Sequence, residues 1–214
     1  MKHKLLILLL LIAATAMGQN PKREFRGAWI QAVNGQFQNL GRDRMQAMLI
    51  SQLNDLQKDG INAIFFQVRV EGDALYPSQL EPWSRYLTGQ QGLPPNPYWD
   101  PLEWMITQCH ARGMELHAWV VAFPICKVNV EKRLGNRSLP RQHPELCQRC
   151  GDQWMMDPGV PGTAAYIASI CREIVERYDV DGIHLDYIRY PESGIPFNDT
   201  KTYRKYGAGR NKAE

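Results

Sequence analysis

The sequence predicts an α/β fold: the N-terminal half of a (β/α)8 barrel, with four parallel strands and long loops after them. Three observations carry this. Apolar strand-like runs alternate with stretches of helical period, in the order strand, helix, strand, helix, strand, helix, strand. That order calls for a parallel sheet with right-handed crossovers. The turns from a helix into the next strand are short, as at Lys58-Asp59-Gly60 and Ala111-Arg112-Gly113, whereas the connections after the strands are long and aromatic. A barrel carries function on the loops after its strands and keeps the opposite face compact. Finally, the fourth strand ends in an acid, Asp186, where such folds place catalytic groups. A doubly wound sheet is the alternative, but no glycine fingerprint follows the first strand.

The elements read in order as follows. Phe25 to Val33 is a first strand. Met45, Met48, Leu49, Leu53 and Leu56 recur at helical spacing, and Gly60 ends that helix. Ile61 to Val70 is apolar on both faces until Gln67 and Arg69, as a buried parallel strand should be. A proline-rich loop then runs from Glu71 to Trp99. Asp100-Pro101-Leu102-Glu103 is a strong helix start, with a capping acid and proline at the first helical position. Leu102, Met105, Ile106 and Cys109 form its buried stripe. Met114 to Phe123 is the third strand, with His117 and Trp119 on one face. A second long loop extends from Pro124 to about Gly162. Tyr166, Ile167, Ile170, Cys171, Ile174, Val175 and Tyr178 mark a third helix. The fourth strand is Asp181-Gly182-Ile183-His184-Leu185-Asp186, with His184 and Asp186 on one face and Ile183 and Leu185 on the other.

The chain has 214 residues. Lys2 and Lys4, the apolar run Leu5 to Ile12 and the small residues of Ala16-Met17-Gly18 form a secretion leader. The run is too short to span a bilayer. Residues 1–18 are therefore read as a signal peptide and 22–214 as the barrel domain, exported to the periplasm, the outer surface or the medium. An uncleaved anchor is the alternative. Lys and Arg number 25 against 22 Asp and Glu, with no basic stripe and no phosphate-cradling loop, which argues against nucleic acid.

Five cysteines are present. Cys109 and Cys171 sit at apolar helical positions and read as small buried hydrophobes. Cys147 and Cys150 form a lone CxxC with no second pair to complete a zinc site. Cys126 could bridge to one of them in an oxidising compartment. Neither metal nor cofactor is expected.

Four strands are fewer than a barrel of about 250 residues supplies. The expectation is a barrel incomplete at its C-terminus, with apolar strand edges and helix faces exposed.

Several segments occur in a telling order: Phe25-Arg26-Gly27-Ala28-Trp29-Ile30, Phe66-Gln67-Val68-Arg69, Gly72-Asp73-Ala74-Leu75-Tyr76, Glu81-Pro82-Trp83-Ser84, Leu87-Thr88-Gly89, His110 to Trp119, and Asp181 to Pro191. Together they resemble the glycosyl hydrolase-like family 10, over nearly the whole chain after the leader. The resemblance implies a TIM-barrel glycoside hydrolase exported by bacteria and acting on envelope or environmental glycans, peptidoglycan strands stripped of stem peptides among them. It also implies that the barrel continues beyond strand four. Pro124 and the residues after it depart from the family's Asn-Pro-Tyr/Phe-Arg pattern.

Glycoside hydrolysis needs two carboxyl groups, about 5 Å apart for retention and about 6.5–9.5 Å apart for inversion. Asp186 is the catalytic candidate and resembles the strand-four nucleophile of amylase-like barrels. The resemblance puts the second carboxyl on a later strand. Glu71, Asp73 and Asp157, on strand-end loops, are weaker stand-ins. Gln67, Arg69, His117, Tyr187 and Arg189 are the substrate-binding candidates. His184, one layer below Asp186, reads as structural. Trp83, Trp99, Trp154 and Tyr190 are loop aromatics that could stack on sugar rings. The alternative functions are a non-catalytic glycan-binding protein and an inactive fragment.

Overall fold

The computed structural model describes residues 24–191, 194–207 and 209. The predicted leader lies outside the described residues. Four strands form one parallel sheet: β1 (Gly27–Ile30), β2 (Ala63–Arg69), β3 (Glu115–Val121) and, after a second small sheet, β7 (Gly182–Asp186), in the spatial order β1-β2-β3-β7. The helices between them are α1 (Arg42–Lys58), α2 (Pro101–His110) and α3 (Pro161–Arg177), and α4 (Thr200–Tyr206) follows β7. The fold is therefore mixed α/β with a parallel sheet, in the strand order of part of a barrel.

Local chemistry explains the boundaries. Asp100 accepts hydrogen bonds from the Leu102 and Glu103 amides, and Pro101 occupies the first turn, where no amide proton is needed. α3 begins at Pro161, five residues before its apolar stripe. Gly182 permits a close approach: a Cβ there would collide with the His117 ring on the neighbouring strand.

The outer face of the sheet packs under the helices. Ile64, Phe66, Val68, Leu116, Ala118 and Val120 are fully buried, with Leu49 and Leu53 of α1, Leu102 and Met105 of α2, and Ile170 and Ile174 of α3 in the same core. A buried carboxylate pins the proline-rich loop to α3. Glu173 accepts from Tyr76 OH at 3.1 Å and Ser78 Oγ at 2.6 Å.

The predicted loop from Pro124 to Gly162 is not irregular. It holds a second sheet of antiparallel strands, β4 (Pro124–Lys127), β5 (Cys147–Cys150) and β6 (Gln153–Met156), in the order β4-β6-β5. Ile125, Cys126, Leu139, Leu146, Met156 and Ile167 form its own core against α3. Of the two possibilities open for Cys126, a disulfide or a free thiol, the structure has the free thiol, and the other four cysteines are free as well. Cys126 lies on β4, and Cys147 and Cys150 lie on β5, with β6 between them. Two strand spacings, about 10 Å, exceed disulfide reach. No helix among the described residues is long and apolar enough to cross a membrane.

Candidate active site

The inner face of the parallel sheet carries Trp29 and Gln31 from β1 and the residue after it, Phe65 and Gln67 from β2, His117 and Trp119 from β3, and His184 and Asp186 from β7. Parallel register aligns Trp29 with Phe65 and His117, Gln67 with Trp119 and His184, and Val121 with Asp186. The last level is the mouth. There a cleft of about 400 Å³ opens between the sheet, the small antiparallel sheet and the loop after β7. Gln31, Gln67, Trp119 and Val121 form its floor. Lys127, Asp152 and Gln153 form one wall, and Tyr187, Arg189 and Tyr190 the other.

Asp186 ends β7 beside this cleft: Trp119 and Tyr187, which hold its carboxylate, line the cleft, and Asp186 itself stands behind them. Its Oδ2 accepts the Trp119 indole N–H at 3.0 Å, and its Oδ1 accepts the Tyr187 amide at 2.7 Å. Its carbonyl accepts the Ala122 amide at 2.8 Å, which ties β7 to the end of β3. Tyr187 adopts the left-handed backbone, with φ 53°. That conformation is uncommon for a residue with a large side chain.

The other candidates divide. Gln67 lines the cleft, and its Oε1 accepts the Ala32 amide at 2.7 Å. This bond fixes the carboxamide of the buried side chain. Tyr187 and Arg189 also line the cleft, with the guanidinium 5.2 Å from the Tyr187 ring centroid.

Arg69 corrects the expectation. It is fully buried, forms a 2.7 Å ion pair with Glu81, and donates to the carbonyls of Val121 and Ala122. A β-bulge between Gln67 and Arg69 breaks the alternation of the strand, so Arg69 leaves the row that Gln67 belongs to. Burial pushes the Arg69 pKa down, but the Glu81 charge and hydrogen bonds outweigh it and hold the guanidinium charged. Arg69 supports the mouth from beneath.

His117 is a second correction. It lies two levels below the mouth, off the cleft, bonded to Glu115 at 2.9 Å and packed on Phe25 and Phe65. Trp83 and Trp99 pack on the main core and Trp154 on the second one, so Tyr187 and Tyr190 are the exposed predicted aromatics on the cleft.

Of the stand-in carboxyl groups, Glu71 lines the cleft, with its oxygens taken by Arg85 at 2.9 Å and Tyr86 OH at 3.0 Å. Asp73 is fully buried. Burial, and next the Glu71 charge, push its pKa up to about 6. Asp157 accepts from Thr202 Oγ1 at 2.5 Å and the Gly159 amide at 2.9 Å, closing the connection into α3.

Sequence reasoning missed Gln31 and the wall residues Lys127, Asp152 and Gln153, and it placed Trp119 on the face of His117 without its bond to Asp186. Period-two alternation from Trp29 could have found Gln31. Lys127 and Asp152 pair at 2.9 Å across a strand junction that no local pattern announces. Among the described residues no group of three or more His, Cys, Asp or Glu side chains is placed to hold a metal ion.

The family profile of Glycosyl hydrolase-like 10 matches residues 24–214. The chain belongs to this family. Glycosyl hydrolase DigH of Escherichia coli (strain K12) is 38% identical over 217 residues, covering 90% of this chain and 48% of the relative. Glycosyl hydrolase YngK of Bacillus subtilis (strain 168) is 35% identical over 192 residues, covering 86% of this chain and 37% of the relative. The chain thus spans less than half the length of these curated relatives. In fold it is similar to a chitobiase from Flavobacterium johnsoniae, with a TM-score of 0.52 at 13% identity over 86% of this chain and 25% of that one. Within the glycosyl hydrolase-like family 10 framework, the cleft lies where a barrel collects its functional loops.

Proposed function

We propose that the protein is an exported glycoside hydrolase of a bacterial envelope or environmental glycan, with peptidoglycan strands as one substrate class and Asp186 as a catalytic carboxylate. One observation carries this reading. Among the described residues, the carboxylates that line the cleft have cationic partners, Glu71 with Arg85 and Asp152 with Lys127. Asp186 makes no ion pair among the described residues and is held by two N–H donors alone. A carboxylate fixed in this way keeps lone pairs for a reacting sugar.

The roles follow from placement. Asp186 acts at the anomeric carbon as one of the two required carboxyl groups. Gln67 offers its Nε2 protons to a sugar hydroxyl. Tyr187 and Tyr190, 44% and 53% exposed, present ring faces to the apolar face of a sugar. Arg189 supports the Tyr187 ring. The reading takes the second carboxyl group, the acid, from later barrel strands, as the family resemblance implies.

The rival is a glycan-binding protein without catalysis. It draws on the engagement of both Glu71 oxygens, by Arg85 and the Tyr86 hydroxyl, so that Glu71 does not offer Asp186 a second free carboxyl group.

The test is Asp186→Asn in the complete protein, assayed on glycan strands freed of stem peptides. Hydrolysis should fall by about a thousandfold or more, while binding of the strands and the melting midpoint stay unchanged. Activity within about tenfold of the parent would sink the assignment. A parent that binds strands but never cleaves them would select the rival.

A further inference from the structure

We infer that Trp119, which lines the cleft, is a positioning residue for Asp186 beside it, its indole N–H fixing the carboxylate plane. The inference rests on the catalytic reading of Asp186 and extends it to the residue that aims the carboxylate.

The geometry makes the case. Trp119 is on β3 and Asp186 on β7, 67 residues away in sequence. In register Trp119 pairs with His184, one pleat below Asp186, so the indole reaches diagonally up the inner face to Oδ2 at 3.0 Å. An indole has one donor, so this bond commits the whole ring to that direction. The ring cannot swing away freely. His184 meets it edge-on at 6.3 Å between centroids, and His184 is itself packed on Phe65 at 4.7 Å and bonded to the Trp29 indole at 3.4 Å.

The second donor is equally constrained. The Tyr187 amide donates to Oδ1 at 2.7 Å from the peptide unit that follows Asp186, and Tyr187 itself turns into the left-handed region. A backbone that large residues seldom adopt is kept here, immediately after the carboxylate, where it turns the chain toward the cleft that Tyr187 lines. Two donors take two of the roughly four lone-pair positions of a carboxylate. The carboxylate is thereby stopped from rotating about its χ2 angle, and the remaining positions are presented in a fixed direction. Such preorganisation speeds chemistry because no reorientation is needed as the transition state forms.

The experiment uses the complete protein with glycan strands freed of stem peptides as probe. Trp119→Phe removes the donor. Site-specific replacement of Trp119 by benzothienylalanine removes it while keeping the bicyclic shape. Both should lower kcat by about tenfold to a hundredfold with KM held within about twofold, and the isostere should melt with the parent. In parallel, the Trp119 indole N–H resonance should move on Asp186→Ala, as the loss of its acceptor requires.

A kcat within about twofold of the parent for the isostere would overturn the inference. So would a rise in KM at constant kcat, which would make Trp119 a sugar platform, and so would an indole resonance indifferent to Asp186→Ala. Activity that survives Asp186→Asn would overturn the catalytic reading beneath it. That failure is read on a different variant, so the two are separable.

Discussion

The two faces of the four-stranded sheet share one backbone ladder and differ in almost everything else. On the outer face Ile64, Phe66, Val68, Leu116, Ala118 and Val120 are fully buried among helix side chains. On the inner face Trp29 is 57% exposed and stacked on Phe65 at 4.6 Å, and the rest of the row is aromatic, imidazole, amide or carboxylate. The outer face is held by burial, which is non-directional and tolerates any aliphatic side chain of suitable volume. The inner face is held by directed contacts: the Trp29 indole to His184, the Trp119 indole to Asp186, and Gln67 to the Ala32 amide. Stability is concentrated on one side and chemistry on the other.

The sharpest way to break this comparison is to truncate one ring on each face. Phe66→Ala should destabilise the chain by about 3–5 kcal/mol in urea unfolding, through lost burial and a cavity. Trp29→Ala should cost only about 1 kcal/mol, the worth of one stacked aromatic pair. Equal losses would show that the two faces contribute alike to stability.

Arg69 is the residue where the division fails, because the bulge takes it off both rows and buries it. Arg69→Ala leaves the Glu81 carboxylate buried without its partner and should cost about 3–5 kcal/mol. The paired replacement Arg69→Met with Glu81→Leu should recover most of that loss. Arg69→Ala with stability within about 1 kcal/mol of the parent would return Arg69 to the pool of ligand-binding residues.

The smallest effects separate the two ends of the sheet by pH. At the mouth, burial and the Glu71 charge raise the pKa of Asp73 to about 6. The folded chain keeps this proton up to that pH, whereas the unfolded chain releases it near 4. The unfolded state therefore binds fewer protons between about pH 4 and 6, and the contribution of Asp73 to stability falls as pH rises across that window.

At the opposite end, Asp181 has the other sign. Burial raises its pKa, but the Leu116 amide at 2.7 Å and His110 at 2.8 Å outweigh burial and hold it below the ordinary carboxylate value. Its contribution is complete above about pH 4 and is lost as pH falls through the lowered value. Asp73→Asn should flatten the unfolding midpoint between pH 4 and 6, and Asp181→Asn should blunt its loss below pH 4. Midpoints measured in urea over a pH series check both, and slopes of the opposite sign would refute the assignments.

Much of this was legible in the chain. Asp100-Pro101 starts α2 because a side-chain cap and a proline act within one turn. The four parallel strands follow from local periodicity, and Asp186 at the end of the fourth follows from counting in twos. The small sheet was not legible. Its strands have four residues each, carry cysteine and polar side chains without clean alternation, and are stabilised by Leu146, Met156 and Ile167 meeting against α3. Gln67 and Arg69 look equivalent in sequence. A single bulge separates them, one at the cleft and the other beneath it.

The sequence by itself determined the alternation of strands and helices, the long loops at one end of the sheet, the family and the residue types available for chemistry. These are local properties, set by side-chain period, capping and turn residues within a few positions. Tertiary structure alone decided which polar groups reach the cleft and which are consumed in support. It set Arg69 against Glu81, left Asp186 without an ion pair among the described residues, and brought the Trp119 indole to a carboxylate 67 residues away. Register between distant strands is a property of the assembled sheet, fixed by the sum of many weak packing contacts, and no short stretch of the chain encodes it.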